Sequence, residues 1–587
     1  MSDRYLLFRL LVASLSLLLP TFSWAQGTPA WNWVQQGAST VASGGRNIAV
    51  AASGNVFVTG YFTHTLTLGT TTLTADSTDA FVAKYTAGGQ VLWAQKLGSS
   101  GQGIGYQLVA DAADNCYVSG VFRGTVQVGA TVLTSQSDGD EFLVKYSAQG
   151  APLWGQRYRD LNPTYSRLPT GGTDFLVFPF QSLHLTLDAQ GNLYTASRFR
   201  DTVTRGGTTF TSQVGSYDAL VVKYNPQGQV QWARQGGGTG DDYAADVAVD
   251  ATGNVYVVGG FGTTATFGSV VFPTSTGPFV NHYNTYVLKY DAQGTVVWGR
   301  ATVPAAFQDF ASLTAVGVDG SGNVYTLGGF GPELTLGSTS FSLPAASSGH
   351  VFLAKYDPLG TVLWAQMAGS APPNTIRVSN GADLAVQADG TATITGIYTE
   401  TMTFGQLTLG TPGGLNQAFV ARYTPQGAVL WAGRAGTYMA SSAGGNAAQG
   451  FGVSMDAQGA AYVTGDFGGQ ADFGPFVLTT TTGMYANLFV GKIGATALAD
   501  RGAAATSTLA VYPVPAVAGS VTVRFPQLTS APTELRVVNA VGQLVQQQRV
   551  AAGASEVSLS TQGLRAGLYW VQALSATSRQ VGTLVIP

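Results

Sequence analysis

The chain is poor in the residues that carry most protein chemistry. It has one cysteine, Cys116, in 587 residues, so no intramolecular disulfide can form. Charged residues make up 10%, against about 25% in an average soluble protein. The net charge of −3 supplies no basic footprint, which disfavours a nucleic-acid partner. Four histidines without an H-E-x-x-H pair exclude a zincin. There is no G-x-S-x-G nucleophile elbow and no G-x-x-x-x-G-K-[ST] phosphate loop. Up to residue 494 the only glutamates are Glu141, Glu333 and Glu400. A glycosidase needs two carboxylates facing one sugar bond, and nothing singles out such a pair among the aspartates. No catalytic residue and no cofactor is assigned.

Long apolar runs are also missing. The stretch from Leu10 to Leu19 is too short to span a bilayer. It follows basic Arg4 and Arg9, is broken by Pro20, and precedes small residues at Ser23 and Ala25. That order reads as a signal peptide over residues 1–25, with cleavage before Gln26. With no later segment of spanning length, the expectation is an exported protein without a transmembrane helix.

Glycine is abundant, at 77 residues, and its placement is periodic. A pair of glycines nine residues apart recurs at 60/69, 120/129, 259/268, 328/337, 396/405 and 465/474; a seventh copy has Ser197 and Gly206. Two places after each first member stands an aromatic, from Phe62 to Phe467. Nine places before it stands aspartate in five copies: Asp111, Asp188, Asp250, Asp319 and Asp456. A second block places Lys84, Lys145, Lys223, Lys289, Lys355 and Arg422 nine residues before Trp93, Trp154, Trp232, Trp298, Trp364 and Trp431. Fixed spacing at this period signals a repeat architecture. Each block reads as a hairpin, two alternating runs around a turn such as Asp250 to Asn254, where Asp accepts turn amides and Gly takes positive φ. Two hairpins make one four-stranded blade. Cys116 occupies a strand position that is apolar in other copies and reads as a small buried hydrophobe.

The ends of the array complement each other. The seventh copy stops at Lys492 and Ile493 with no tryptophan strand, while Trp33 opens the array with no lysine strand before it. The first strand fits the vacancy at the end, which predicts a ring of seven blades shut by the two extremities, without exposed edges. The pattern D-x-x-G-N-V-Y-V-x-G-x-F followed by A-F-V-A-K-Y resembles the bacterial β-propeller repeat of exported proteins over roughly Trp33 to Ile493. The resemblance implies an all-β, seven-bladed propeller over 27–494 and no single activity.

Length variation is confined to two sets of connections on one face, where binding usually resides. The longest, from Arg157 to Ser182, carries Tyr158, Tyr165, Arg167 and Phe175, candidates for a sugar or peptide platform unless the rings pack the loop onto its blade. The repeated lysines are expected to snorkel or to pair with turn aspartates, and the repeated tryptophans to pack blades. Structural calcium is a weak candidate at Asp138, Asp140 and Glu141, or at Asp241 and Asp242, since neither spacing completes a calcium loop.

Beyond Gly494 an Ala/Thr-rich linker, 495–508, leads to alternating strands over 509–587. Tyr512-Pro513-Val514-Pro515-Ala516, the strand around Gly542, and Gly567-Leu568-Tyr569 resemble the C-terminal sorting domain of the type IX secretion system, an Ig-like β-sandwich. Val514 stands where that family usually has Asn. The resemblance implies the type IX secretion machinery as a partner, and release or attachment to surface lipopolysaccharide after processing. The expected protein is a secreted or cell-surface, non-enzymatic binding and adhesion scaffold for a glycan or protein ligand. The alternative is a secreted polysaccharide-acting enzyme using loop carboxylates.

Overall fold

The computed structural model describes residues 29–586 apart from 99, 137–138, 159–182, 214, 274–283, 303–309, 344–348, 370–379, 400, 411–415, 436–447, 481–485, 495–508, 515–518, 526–532, 540–543, 565 and 575–578. Two compact parts, residues 1–494 and 495–587, have separate cores.

Turn chemistry defines the strands of the larger part. Asp250 Oδ1 accepts the backbone N–H of Thr252 at 2.9 Å and of Asn254 at 3.0 Å, while Oδ2 accepts the Tyr256 hydroxyl at 3.0 Å. Gly253 takes φ +84°, which an L side chain rarely adopts. The turn therefore links Asp242–Val249 to Val255–Phe261 in tight antiparallel register. These strands continue into Asn284–Tyr290 and Val296–Thr302, one four-stranded meander per repeat. The same order recurs, for example, in His184–Leu187, Leu193–Arg200, Tyr217–Tyr224 and Val230–Gly238. Between second and third strands the Thr-x-Thr-Phe-Gly elements form short hairpins, as in Ala265–Phe267 with Val270–Phe272. That hairpin also pairs back onto the preceding repeat, Gly237 opposite Thr266.

Neighbouring repeats meet through their innermost strands. Ser43–Val50 lies against Ser100–Ala110, which meets His184–Leu187, then Asp242–Val249, Phe310–Val318, Asn380–Val386 and Gln449–Met455; the last also touches Ser43–Val50. The opening strand, Trp31–Ser39, pairs antiparallel with Asn487–Ile493, Trp33 opposite Lys492. Apolar clusters bridge adjacent repeats, such as Tyr256, Val258 and Trp298 with Val316, Val324 and Phe352.

A glycine at each outer turn admits a tryptophan from the previous repeat. A Cβ on Gly294, at φ +78°, would lie 3.0 Å from the Trp232 ring, and one on Gly89 2.8 Å from Trp33. Gly294→Ala should lower stability by about 1–3 kcal/mol through backbone strain and displacement of the indole, read as a lower urea midpoint at unchanged slope.

The smaller part is two antiparallel sheets. Ala510–Tyr512, Ser520–Arg524 and Glu556–Ser560 form one; Leu544–Val550, Thr533–Asn539, Gly567–Leu574 and Arg579–Ile586 form the other. Val523, Leu535, Val537, Leu559, Val571 and Leu584 fill the core between them.

Candidate functional site: a polar channel and its interlocked rim

A cavity of about 840 Å³ runs between the innermost strands, with Asn47, Gln107, Thr186, Asp246, Asp383 and Asp456 among its lining residues. Inner strands carry a bulge at one register position, as between Ala244 and Asp246 and between Gly381 and Asp383. The bulge turns one side chain toward the next repeat. Asn47 Oδ1 accepts the Leu108 N–H at 3.1 Å, Asp246 Oδ2 the Val316 N–H at 2.8 Å, and Asp383 Oδ2 the Val453 N–H at 2.9 Å. Ser454 Oγ accepts the Val50 N–H at 3.1 Å, linking the last repeat to the first. His184 Nδ1 lies 3.3 Å from Asp246 Oδ1. Burial pushes the Asp383 carboxyl up to about 7 against the pull of the Val453 amide. Asp246 and Asp383 are thus committed as inter-repeat latches. Asp246→Ala strands the Val316 amide and should cost about 1–3 kcal/mol of stability, measured by chemical denaturation.

The repeated cations interlock the repeats at the outer turns. Lys84 Nζ donates to the Ala148 carbonyl at 3.0 Å and lies 3.0 Å from Asp114 Oδ2. Trp93 Nε1 donates to the same carbonyl at 3.0 Å. Lys289 and Trp298 share the Pro358 carbonyl, and Lys355 and Trp364 share that of Pro425. Trp33 donates likewise to Ala87 at 3.0 Å. The sixth copy explains its own exception. The outer strand of the seventh repeat comes from the start of the chain, so no turn links its third and fourth strands. Arg422 reaches Thr393 Oγ1 at 3.0 Å and the Met455 sulfur at 3.2 Å instead.

Tyr158 ends the strand Pro152–Tyr158 at 3% exposure, its ring 6.5 Å from Tyr224 and 4.4 Å beneath the Arg205 guanidinium. It packs inside rather than on a loop surface. Tyr165, Arg167 and Phe175 lie outside the described residues, as does Asp138. Asp140 pairs with Arg157 at 2.8 Å and Glu141 is buried. Asp241 Oδ1 accepts the Tyr217 N–H at 3.1 Å, and burial pushes Asp242 up to about 8. Among the described residues no group of three or more His, Cys, Asp or Glu is arranged to hold a metal ion. Cys116 is fully buried, and burial pushes its thiol up. In the smaller part, Tyr512 is 42% exposed with its hydroxyl 3.4 Å from Glu556, beside Pro513; Gly567 opens a strand and Tyr569 is buried. Pro515 and Gly542 lie outside the described residues.

Two polar positions escape the sequence reading. Five residues before each repeated cation stand Asp79, Asp140, Asp218, Asn284, His350, Gln417 and Asn487, polar in every copy. Asp79 meets Lys96 at 3.4 Å, Asp140 meets Arg157, and Asp218 accepts from Gln235 at 2.6 Å. The latch residues Asn47, Asp246 and Asp383 sit four before the turn position, where the other copies carry Gln107, His184, Ala315 and Gly452.

Residues 510–587 match the family model described as the secretion system C-terminal sorting domain, and residues 231–259 match the β-propeller repeat. The chain carries β-propeller repeats and a sorting domain that marks it for secretion or the outer surface and engages the secretion machinery. It is 27% identical over 274 residues to an uncharacterized WD repeat-containing protein, L264, of Acanthamoeba polyphaga mimivirus, covering 43% of this chain and 19% of that protein. The chain thus spans about a fifth of that relative's length. Among solved structures, a protein of unknown function from Dyadobacter fermentans is 12% identical with TM-score 0.34, covering 66% of this chain and 94% of that one. An engineered GH43 glycoside hydrolase is 10% identical with TM-score 0.24, covering 77% and 95%. Neither score carries an argument. Among the described residues no helix is long and apolar enough to cross a membrane.

Proposed function

We propose that the chain is a secreted or surface-attached binding scaffold, a seven-bladed β-propeller over 27–494 closed by its own N-terminal strand. A signal peptide over 1–25 starts its export. A linker, 495–508, joins it to the sorting module, 509–587, which is removed during passage by the type IX route, with release or attachment to lipopolysaccharide. The observation that carries the binding reading is the use made of the repeated charges. Lys84, Lys355 and Asp246 are spent holding one repeat to the next, which makes a rigid frame whose unequal connections form the variable surface.

The test is the purified full-length chain applied to a glycan array and to intact cells, with reducing ends assayed in parallel. Retention of a glycan or surface without cleavage is the expected result. Release of new reducing ends would replace this reading with the polysaccharide-acting enzyme, and retention of neither glycan nor cells would overturn it.

A further inference from the structure

We propose that the junction of the third and fourth repeats is a subsite for an acidic saccharide, a sugar unit bearing a carboxylate or sulfate; this rests on the binding-scaffold reading and gives it a ligand class. A cavity of about 860 Å³ opens there, inside the span of about 300–1,000 Å³ usual for small-molecule sites. Arg205, Lys223 and Arg234 line it, and no aspartate or glutamate does. In a chain of net charge −3 with 10% charged residues, three cations around one cavity are a local concentration of positive charge.

Lys223 is the member of the repeated cation set whose donors remain to be used. Lys84, Lys145, Lys355 and Lys492 each pair with a carboxylate, and Lys289 donates to the Pro358 carbonyl. The Lys223 amine lies 5.0 Å above the Tyr194 ring and, among the described residues, makes no hydrogen bond or ion pair. Asp188, the turn carboxylate of its repeat, already accepts two backbone amides, the Asn192 side chain and the Tyr194 hydroxyl. Arg234 takes the Gly294 and Gln293 carbonyls of the next turn, at 2.7 and 2.8 Å, and Trp232 takes that of Ala292. Arg205 reaches the cavity from a separate hairpin, Thr202–Arg205 with Thr208–Thr211.

The remaining lining suits a polyhydroxylated ring. Thr208, Gln231 and Gln293 are exposed and offer hydroxyl and amide partners to sugar hydroxyls. Phe210 and Trp232 are half-buried, presenting apolar ring surface to C–H faces. The cations supply a charge-assisted contact to a carboxylate or sulfate.

The experiment is calorimetric titration of the purified full-length chain with trigalacturonate, a sulfated trisaccharide, a neutral glucotriose and a phosphoserine tripeptide. Binding of one or both acidic sugars, weakened by added salt, is expected, with the neutral sugar at least tenfold weaker. Lys223→Met keeps the aliphatic stem and should weaken acid-sugar binding about tenfold. Lys289→Met, the matching lysine outside the cavity, should change it less than twofold, with thermal unfolding confirming that both variants fold. Arg205→Gln, on the other hairpin, gives a second reading should Lys223→Met unfold. Equal binding of neutral and acidic sugars, tighter binding of the phosphopeptide, or full affinity in both cavity variants overturns the subsite. Binding of neither acidic sugar overturns the subsite alone, because the scaffold reading is judged on the wider glycan and cell panel.

Discussion

A chain lacking Trp31–Ser39 should fail to unfold cooperatively and should aggregate, whereas Trp33→Ala should fold with about 3 kcal/mol less stability. The strand pairs with Asn487–Ile493 from Trp31 opposite Ile493 to Gly37 opposite Leu488. It also pairs with the first repeat, Ala38 opposite Thr67 and Ser39 opposite Leu66. Its removal bares the N–H and C=O row of Asn487–Ile493, an edge that invites pairing with another chain. Trp31 and Val34 leave the core of the last repeats at the same time. Trp33→Ala keeps the ladder and removes the indole on Gly89, its bond to Ala87 and its edge contact with Tyr462, which places its cost at the low end of large aromatic truncations. The decisive comparison is with Trp93→Ala, the same grip between the first and second repeats. In a closed ring the two substitutions lower the denaturant midpoint equally. A Trp33→Ala variant with unchanged midpoint would mean that the first strand decorates the array without closing it.

What was legible in the sequence was local. Asp250, Gly253 and Asn254 carry their turn within five residues, so residue type and spacing specify both the side-chain hydrogen bonds and the positive φ. The nine-residue step from Lys84 to Trp93 likewise reads as a hairpin, because both ends share one pair of strands. The partners of these side chains were not legible. Lys84 and Trp93 meet at a carbonyl 55 or more residues away, a contact that exists only once two repeats lie side by side. Asp246 and Asp383 escaped for a related reason. The position four before the turn is Asn47, Asp246 or Asp383 in three copies but Gln107, His184, Ala315 and Gly452 in the others, so no residue type marks it. Tyr158 shows the reverse. An aromatic at the start of a long connection suggested a platform unless its ring packed onto the blade; the strand takes in both Arg157 and Tyr158 and carries the ring inside.

Stability of the secreted chain should fall as pH rises from about 4 to about 8. Three buried carboxyls set the direction: burial pushes Asp466 up to about 6, Asp383 to about 7 and Asp242 to about 8. An unfolded aspartate titrates near 3.9, so between that value and each folded value the native state holds a proton that the unfolded state has released. Stability then decreases with pH through this window, and the contribution is fully present below about 4. Asp250 and Asp319 act in the opposite sense. Burial opposes their ionisation, but the hydrogen bonds from Asn254 and Asn323 hold them below the ordinary value. Their contribution is present above about 4 and is lost only in stronger acid. The two sets together place maximal stability in mild acid, with a decline on the order of several kcal/mol toward pH 8. Asp242→Asn isolates one component. Asp242 Oδ2 accepts the Gly238 N–H at 2.6 Å, while among the described residues neither its Oδ1 nor that of Asp218 has a hydrogen-bond partner, and Asp218 adds to the upward push. A neutral amide keeps the accepting oxygen and brings an N–H toward the Asp218 carboxylate. The variant should therefore be more stable than the parent at pH 8 and nearly equal to it at pH 4, as read by denaturant midpoints at both values. A parent chain whose midpoint rises steadily from pH 4 to 8 would show that these carboxyls ionise in place.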